Sequence, residues 1–330
     1  MYEISLDSLR QYYEGRPYHN TKHIEEMLGE FENISSSLIN SDDRELLRIA
    51  ILFHDIVYDS RSSTNEEDSY DFYKKWTLIR GFNLMPSEDE KIQKMIMATK
   101  NHMHLDNNHI LENTIIDLDL CILKKDFPRL IEWENGIFKE YQYCSIESYI
   151  DGRVKFLTNT VDMMRNNGYD SYHIKNIELL IDYVKNRTYR IGIYPGSFNP
   201  MHVGHLNILH KAERLFDKVI VARGFNPSKK KPEWELPKSI LNEKFEYNTL
   251  VSDLFKPIEG ISIEYTMIRG FRNGYDIPSE ESMKKWVREC NPSIEFIYIA
   301  SDPEFEHISS SSIKDVMIFD NEIVRKFIVP

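Results

Sequence analysis

Tyr194-Pro195-Gly196-Ser197-Phe198-Asn199-Pro200-Met201-His202-Val203-Gly204-His205 lies between the apolar run Arg190-Ile191-Gly192-Ile193 and the amphipathic run Leu206 to Phe216. The pattern reads as strand, Gly-rich turn, helix. A turn of this kind points free backbone N–H groups and the positive end of a helix dipole at whatever anion occupies it. His202 and His205, three residues apart, fall on one side of the helix start and add donors there. The stretch is read as a phosphate cradle.

Downstream of Tyr189 the short β-rich runs RIGIY, KVIVA, ISIEYTMI and IEFIYIA alternate with helical stretches, the signature of βα units on a parallel sheet. Ligands of such sheets gather at the C-terminal ends of strands, and three charged or hydroxylated loops are expected there. Phe225 to Pro232 carries Lys229, Lys230 and Lys231; Ile268-Arg269-Gly270-Phe271-Arg272 offers two forked guanidinium groups; Ser309-Ser310-Ser311-Ser312 opens a helix. Guanidinium matches phosphate oxygens bidentately. A cap would need only one serine hydroxyl, so the serine run adds to the phosphate reading.

Taken together, YPGSFNPMHVGH, NPSKK, IRGFR with Asp276 and Glu280 after it, and ISSSSIK resemble the pantetheine-phosphate adenylyltransferase family of the HxGH nucleotidylyltransferase superfamily. The resemblance covers 189–330. It implies a Rossmann-like α/β fold and transfer of the AMP of ATP to 4′-phosphopantetheine, with Mg²⁺ bridging the triphosphate. It implies Ser197, Lys229 and Arg269 at the acceptor phosphate. His205, Arg272, Glu280, Ser309, Ser310 and Ser311 fall on ATP, and Gly196 and Phe198 contribute turn backbone. His205, Lys229 and Arg272 are the expected catalytic groups, with His202 lining the phosphates. This chain departs from the family pattern twice: it is shorter between the lysine loop and IRGFR, and it carries His202 where Thr is common. The second choice is shared with nicotinamide-mononucleotide adenylyltransferases, so nicotinamide mononucleotide stays open as the acceptor.

Residues 1–186 read differently. Apolar positions recur at helical spacing in Ile24-Met27-Leu28-Phe31, Leu46-Leu47-Ala50-Ile51 and Ile177-Leu180-Ile181-Val184. Set among them are His19 and His23 in YHNTKHI, His54-Asp55 in FHDIVYD, Asn65-Glu66-Glu67, His102 and His104, and Asp117 and Asp119. Burying His54-Asp55 behind Ala50-Ile51-Leu52-Phe53 is costly unless both groups are bonded or ligate a metal. These segments resemble the HD superfamily of metal-dependent phosphohydrolases over 10–160. The resemblance implies an all-α domain with His23, His54, Asp55 and Asp119 (alternatively Asp117) holding a divalent transition metal: Mn, Fe, Co, Ni or Zn. His102 stands as a ligand for a second metal or as a solvated helix-end residue. The half is expected either to hydrolyse a phosphate ester or to bind a nucleotide as a regulatory module.

Composition bounds the rest. The chain has 330 residues, 41 % hydrophobic and 12 % aromatic, enough for two packed domains, expected at 1–186 and 187–330. A net charge of −12 argues against a nucleic-acid or anionic-membrane partner held by a general basic surface. Three cysteines without CxxC spacing give no disulfide framework. With no apolar signal core and no membrane-length apolar run, a cytoplasmic protein is expected. The resemblance of 189–330 implies ATP and a phosphorylated small molecule as partners, and a homo-oligomer.

Overall fold

The computed structural model describes residues 4–35, 37–82, 84–106, 108–224, 234–247 and 254–330. It divides into two compact units, one formed by 1–140 and 157–180, the other by 141–156 and 181–330.

The first unit is helical: α1 (Thr21–Glu32), α2 (Ser41–Phe53), α3 (Asn65–Ile79), α4 (Pro86–Ala98), α5 (Ile110–Asp119) and α6 (Phe127–Glu140), followed by the 157–166 part of α7 (Ile146–Asn166) and the 171–180 part of α8 (Ser171–Asn186). Three of these starts have a local cause. The Asn20 carboxamide accepts from the Lys22 N–H at 2.8 Å, the Asn40 carboxamide accepts from the Asp43 N–H at 2.9 Å, and Pro86 occupies the first turn of α4. Apolar faces at helical spacing close on one core, in which Ile24 and Met27 of α1 meet Leu47 and Ile51 of α2, Tyr73 of α3, Met95 of α4 and Ile115 of α5.

The second unit carries a five-stranded sheet: β1 (Tyr189–Gly196), β2 (Lys218–Gly224), β3 (Lys244–Tyr247), β4 (Ile263–Phe271) and β5 (Glu295–Ala300). The order is β3-β2-β1-β4-β5 and every pair is parallel. Successive residues serve opposite faces. Val219, Val221 and Ile268 pack with Ile208 and Leu209 of α9 (Val203–Ala212), whereas Ala222, Met267 and Ile193 pack with Val287 of α10 (Ile277–Cys290). Two short helices, α11 (Ser310–Met317) and α12 (Asn321–Arg325), complete the unit.

The helical and α/β classes agree with the sequence expectation; the boundary differs. The sequence puts it at 186/187, whereas 181–186 and 141–156 group with the sheet. A buried lysine supplies the reason for the second segment. Lys218, 1 % exposed at the start of β2, donates through Nζ to the carbonyls of Gln142 (2.5 Å) and Cys144 (2.7 Å) and lies 3.1 Å from Glu243, while the Glu243 N–H also donates to Gln142 O. A buried ammonium is tolerable only when its donors are taken up. Cys121, Cys144 and Cys290 are all free. No helix among the described residues is long and apolar enough to cross a membrane.

Candidate active sites

In the doubly wound sheet the strand order reverses between β1 and β4, the position where such folds open a crevice. A cleft of about 260 Å³ lies there, lined from the end of β1, the start of α9, the end of β4, the first turn of α10 and the approach to α11. The β1–α9 turn owes its shape to Gly196. A Cβ at that position would fall 2.7 Å from the Phe198 ring, and Phe198 itself adopts φ +43°.

His202 is the N-cap residue of α9, and its backbone N–H donates to Nδ1 of His205 at 3.3 Å. The two rings stack with centroids 3.6 Å apart. Burial, reinforced by Arg272, lowers His202 to about 4; burial, His202 and Arg272 hold His205 well below its usual value. Both imidazoles are therefore neutral near pH 7. Because Nδ1 of His205 already accepts, its single proton sits on Nε2, which makes that atom a neutral N–H donor.

The two arginines of IRGFR reach the cleft from the end of β4, each in a carboxylate fork. Arg269 donates through Nε and Nη2 to Glu280, the latter at 2.9 Å, and through Nη1 to the Pro195 carbonyl at 3.4 Å. Arg272 donates to Asp276 through Nε at 3.2 Å, Nη2 at 2.9 Å and its backbone N–H at 2.9 Å, and these hydrogen bonds hold Asp276 below the usual carboxylate range. Bidentate geometry of this kind is what a phosphate would also use.

Of the residues expected here, Gly196, Phe198, His202, His205, Arg269, Arg272, Glu280, Ser309 and Ser310 line the cleft. Ser197 and Ser311 are exposed and do not. Lys229 lies outside the described residues. The serine hydroxyls also differ from the expectation of free phosphate donors. Ser309 accepts from the Ser312 N–H at 3.0 Å, the Ser309 N–H donates back to Ser312 Oγ at 2.8 Å, and Ser310 Oγ donates to the Pro200 carbonyl at 2.9 Å. Capping takes two of the serines, leaving the amides at the helix start as the outward donors. Sequence reasoning missed Ser301, buried in the cleft with no partner for Oγ. Its place directly after β5 was the available signal.

The helical unit contains one candidate metal centre among the described residues. One ligand atom each from His23, His54, Asp55 and Asp119 lies within 4.8 Å of the others. His23 comes from α1, His54 and Asp55 from the end of α2, and Asp119 from the end of α5. His23 Nε2 is 3.0 Å from Asp119 Oδ1 and 3.7 Å from Asp55 Oδ2; His54 Nε2 is 3.0 Å from Asp55 Oδ2 and 3.6 Å from Asp119 Oδ1. Both Nε2 atoms are nevertheless buried without an aligned hydrogen bond. Four donors that converge on one point without bonding each other are arranged for a cation between them, and imidazole plus carboxylate suits a divalent first-row metal. His54 Nδ1 sits 3.0 Å from the Ile51 carbonyl, which leaves Nε2 as the ligating nitrogen. Burial disfavours charge on all these groups, yet mutual attraction wins: His54 is held well above its usual value, and Asp55 and Asp119 below theirs.

Around this centre, Arg16 donates to the carbonyls of Asp55 (2.5 Å) and Ile56 (2.7 Å). Ser69 Oγ and the Asn65 carboxamide pin the backbone of Val57 and Asp59, so Asn65 braces this turn rather than capping α3. Glu66 and Glu67 face Lys100. His102, at φ +49°, places Nε2 2.8 Å from the second oxygen of Asp119 and is outside the four-atom cluster. Asp117, the alternative ligand, pairs instead with His104 at 3.1 Å.

The cytidylyltransferase-like family profile matches residues 193–316, from the middle of β1 into α11. A phosphopantetheine adenylyltransferase of Streptococcus pneumoniae (strain CGSP14) is 35 % identical over 145 residues, spanning 41 % of this chain and 87 % of that protein. Those of Caldanaerobacter subterraneus subsp. tengcongensis and Carboxydothermus hydrogenoformans are 31 % identical over 145 residues and 34 % over 139, covering 85 % and 84 % of their own lengths and 39 % of this chain in each case. The span matched by the family profile contains the strand-turn-helix cleft built around His205. Through this C-terminal, nucleotidyltransferase half, the chain belongs to the phosphopantetheine adenylyltransferase family.

Proposed function

We propose that the C-terminal unit joins the AMP of ATP to 4′-phosphopantetheine, giving dephospho-coenzyme A and pyrophosphate, and that the helical unit is a metal-dependent phosphohydrolase of the HD superfamily. The observation that carries the first part is the neutral His205, its Nε2–H fixed by the His202 amide, in a cleft with paired arginines. An oxygen of the acceptor phosphate attacks the α-phosphorus of MgATP, the bond to the bridging α–β oxygen breaks, and pyrophosphate leaves. The acceptor is already a nucleophile, so alignment and charge stabilisation suffice. His205 Nε2–H donates to an α-phosphate oxygen as charge builds there, and the site needs no protonation change to do so. Arg269, with Lys229, takes the acceptor phosphate; Arg272 and the amides at the start of α11 take the triphosphate. Glu280 and Asp276 pre-orient the two guanidinium groups. His202, and the absence of an α-helix among the described residues of 234–262, favour nicotinamide mononucleotide as the second acceptor to test.

In the helical unit His23, His54, Asp55 and Asp119 would hold the metal, with His102 orienting Asp119. When bound, it would polarise a phosphate and acidify a coordinated water. Offering the whole protein ATP, Mg²⁺, phosphopantetheine and nicotinamide mononucleotide together, with products identified by mass spectrometry, tests the transfer. Dephospho-coenzyme A is expected; a dinucleotide product alone overturns the acceptor. Metal analysis with a phosphate-ester screen tests the second half: a tightly bound metal without hydrolysis would make it a binding module.

A further inference from the structure

The cleft of the sheet unit holds a buried hydroxyl that the transfer chemistry does not use. Ser301, the first residue after β5, is 6 % exposed and lines the cleft, yet its Oγ has no hydrogen-bond partner among the described residues. The backbone that carries it is fixed on both sides. The Ser301 N–H donates to the Phe271 carbonyl at 2.9 Å, which carries the β4–β5 ladder one residue further. Lys211 of α9 donates through Nζ to the Ala300 carbonyl and to Asp302, both at 2.7 Å. The Asn207 carboxamide donates to Asp302 at 2.6 Å and accepts the Asp302 N–H at 3.1 Å. A hydroxyl left unpartnered in so well anchored a backbone costs free energy that a polar group of the ligand would offset.

The surroundings of Ser301 indicate which group. His205, Arg269 and Arg272 make one part of the cleft rich in donors and suited to phosphates. Alternation along β5 puts Ser301 on the face of Ile299, which packs in one core with Ile208 and pairs in register with Gly270. Gly270 lets that wall close: a Cβ there would fall 2.3 Å from Ile208 Cδ1. Ile208, Gly270 and Ile308 thus give the cleft an uncharged wall, where a base fits better than a phosphate.

We propose that the Ser301 hydroxyl binds the base of the nucleotide, accepting a hydrogen bond from the 6-amino group of adenine, which rests on the adenylyl-transfer reading above. The cleft carboxylates, Glu280 and Asp276, are engaged by Arg269 and Arg272, so an entering amino group needs an uncharged acceptor. Ser301 Oγ is one, and rotation about a single bond that no hydrogen bond holds presents it to the cleft.

Trimming the nucleotide separates this role from a structural one. The full-length protein with Mg²⁺ is titrated calorimetrically with ATP and with purine riboside triphosphate, which lacks the 6-amino group. Wild type should bind the analogue about 5- to 10-fold more weakly than ATP, the worth of one neutral hydrogen bond. Ser301→Ala should weaken ATP by the same factor and leave the analogue within about twofold. Its kcat for pyrophosphate release with phosphopantetheine should stay within about twofold, because contacts to the base are alike in ground and transition states. The Tm of the ligand-free variant should hold or rise, since alanine removes a polar group without a partner. Ser301→Thr, which keeps the hydroxyl, should keep the preference for ATP. Equal weakening of both nucleotides, weakening of neither, or a lowered Tm overturns the proposal. A wild type that binds ATP but releases no pyrophosphate with phosphopantetheine or nicotinamide mononucleotide overturns the transfer reading, while the two titrations still decide the role of Ser301. A wild type that binds neither nucleotide overturns both.

Discussion

The helical unit and the sheet unit solve opposite electrostatic problems. Around His23, His54, Asp55 and Asp119 the chain brings two carboxylates and two imidazoles into an apolar interior and leaves the imidazole Nε2 atoms without aligned partners. In the cleft at the end of β1 and β4 the cations are already answered, Arg269 by Glu280 and Arg272 by Asp276, and the histidines are neutral. The first arrangement is costly until a cation arrives. The second is stable alone and exchanges one anion for another when phosphate enters. A buried site with orphaned donors thus asks for a resident ligand, and an open site with satisfied ion pairs suits a substrate that comes and goes.

That contrast breaks most sharply if the ligands of the helical centre can be removed without losing the metal. Asp55→Ala or His54→Ala is expected to abolish stoichiometric metal binding, well beyond the ~100-fold typical of an outer-shell change. Adenylyl transfer should stay within about twofold of wild type. Removing the donor in the other site has the complementary outcome. His205→Ala should lower kcat for adenylyl transfer by roughly 10²–10³-fold, as deletion of one preorganised donor does, with metal content untouched. A variant of either kind that damages both readouts would erase the distinction.

Smaller effects sharpen it. His102→Ala removes the bond to Asp119 Oδ2 and should weaken metal affinity about 10- to 100-fold, measured by chelator competition; a complete loss would instead make His102 a ligand. In the sheet unit, neutrality can be tested by acid. His202 is lowered to about 4 in the fold by burial and Arg272, against about 6.5 in an unfolded chain. Between those values the unfolded state binds more protons, so stability rises with pH and is lost as pH falls from about 6.5 towards 4. The group should cost about 2 kcal/mol between pH 7 and pH 5 by this linkage. His202→Thr should flatten that part of the denaturation profile. An unchanged profile would mean that the imidazole is not buried uncharged.

Much of this was legible in the amino-acid order, for reasons particular residues make plain. β1 and β2 announce themselves because they are buried almost throughout and read as near-continuous apolar runs, and β4 and β5, though only partly buried, still carry β-branched and aromatic residues in ISIEYTMI and IEFIYIA. β3 did not, because Lys244-Phe245-Glu246-Tyr247 is a short, mostly exposed edge strand with charges where a central strand has none. The ligand quartet could be read because His54-Asp55 ends a helix of apolar residues, a placement that burial makes expensive. The choice of Asp119 over Asp117 could not be derived from spacing alone. Two residues apart on α5 they point differently, one to the centre and one to His104. Glu140 lay beyond sequence reasoning because its partners, Tyr18 and His19, are more than 120 residues away in the chain. The grouping of 141–156 with the sheet was illegible for the same reason: a lysine 76 residues after Gln142 holds it.

The serine run gives the finest test, since four like residues perform different tasks. Ser309 and Ser312 exchange capping bonds, Ser310 ties the start of α11 to Pro200, and Ser311 is exposed. Ser309→Ala should therefore lower stability by about 1 kcal/mol, the usual cost of an N-cap, and raise KM for ATP, because the amides it positions are those left for the triphosphate. Ser311→Ala should leave stability and KM within about twofold, since only its backbone N–H stands at the helix start and alanine keeps it. If Ser311→Ala instead raised KM as much as Ser309→Ala, hydroxyls and not amides would be the phosphate donors. The phosphate cradle of the sheet unit would then be built from side chains, as the metal centre of the helical unit is.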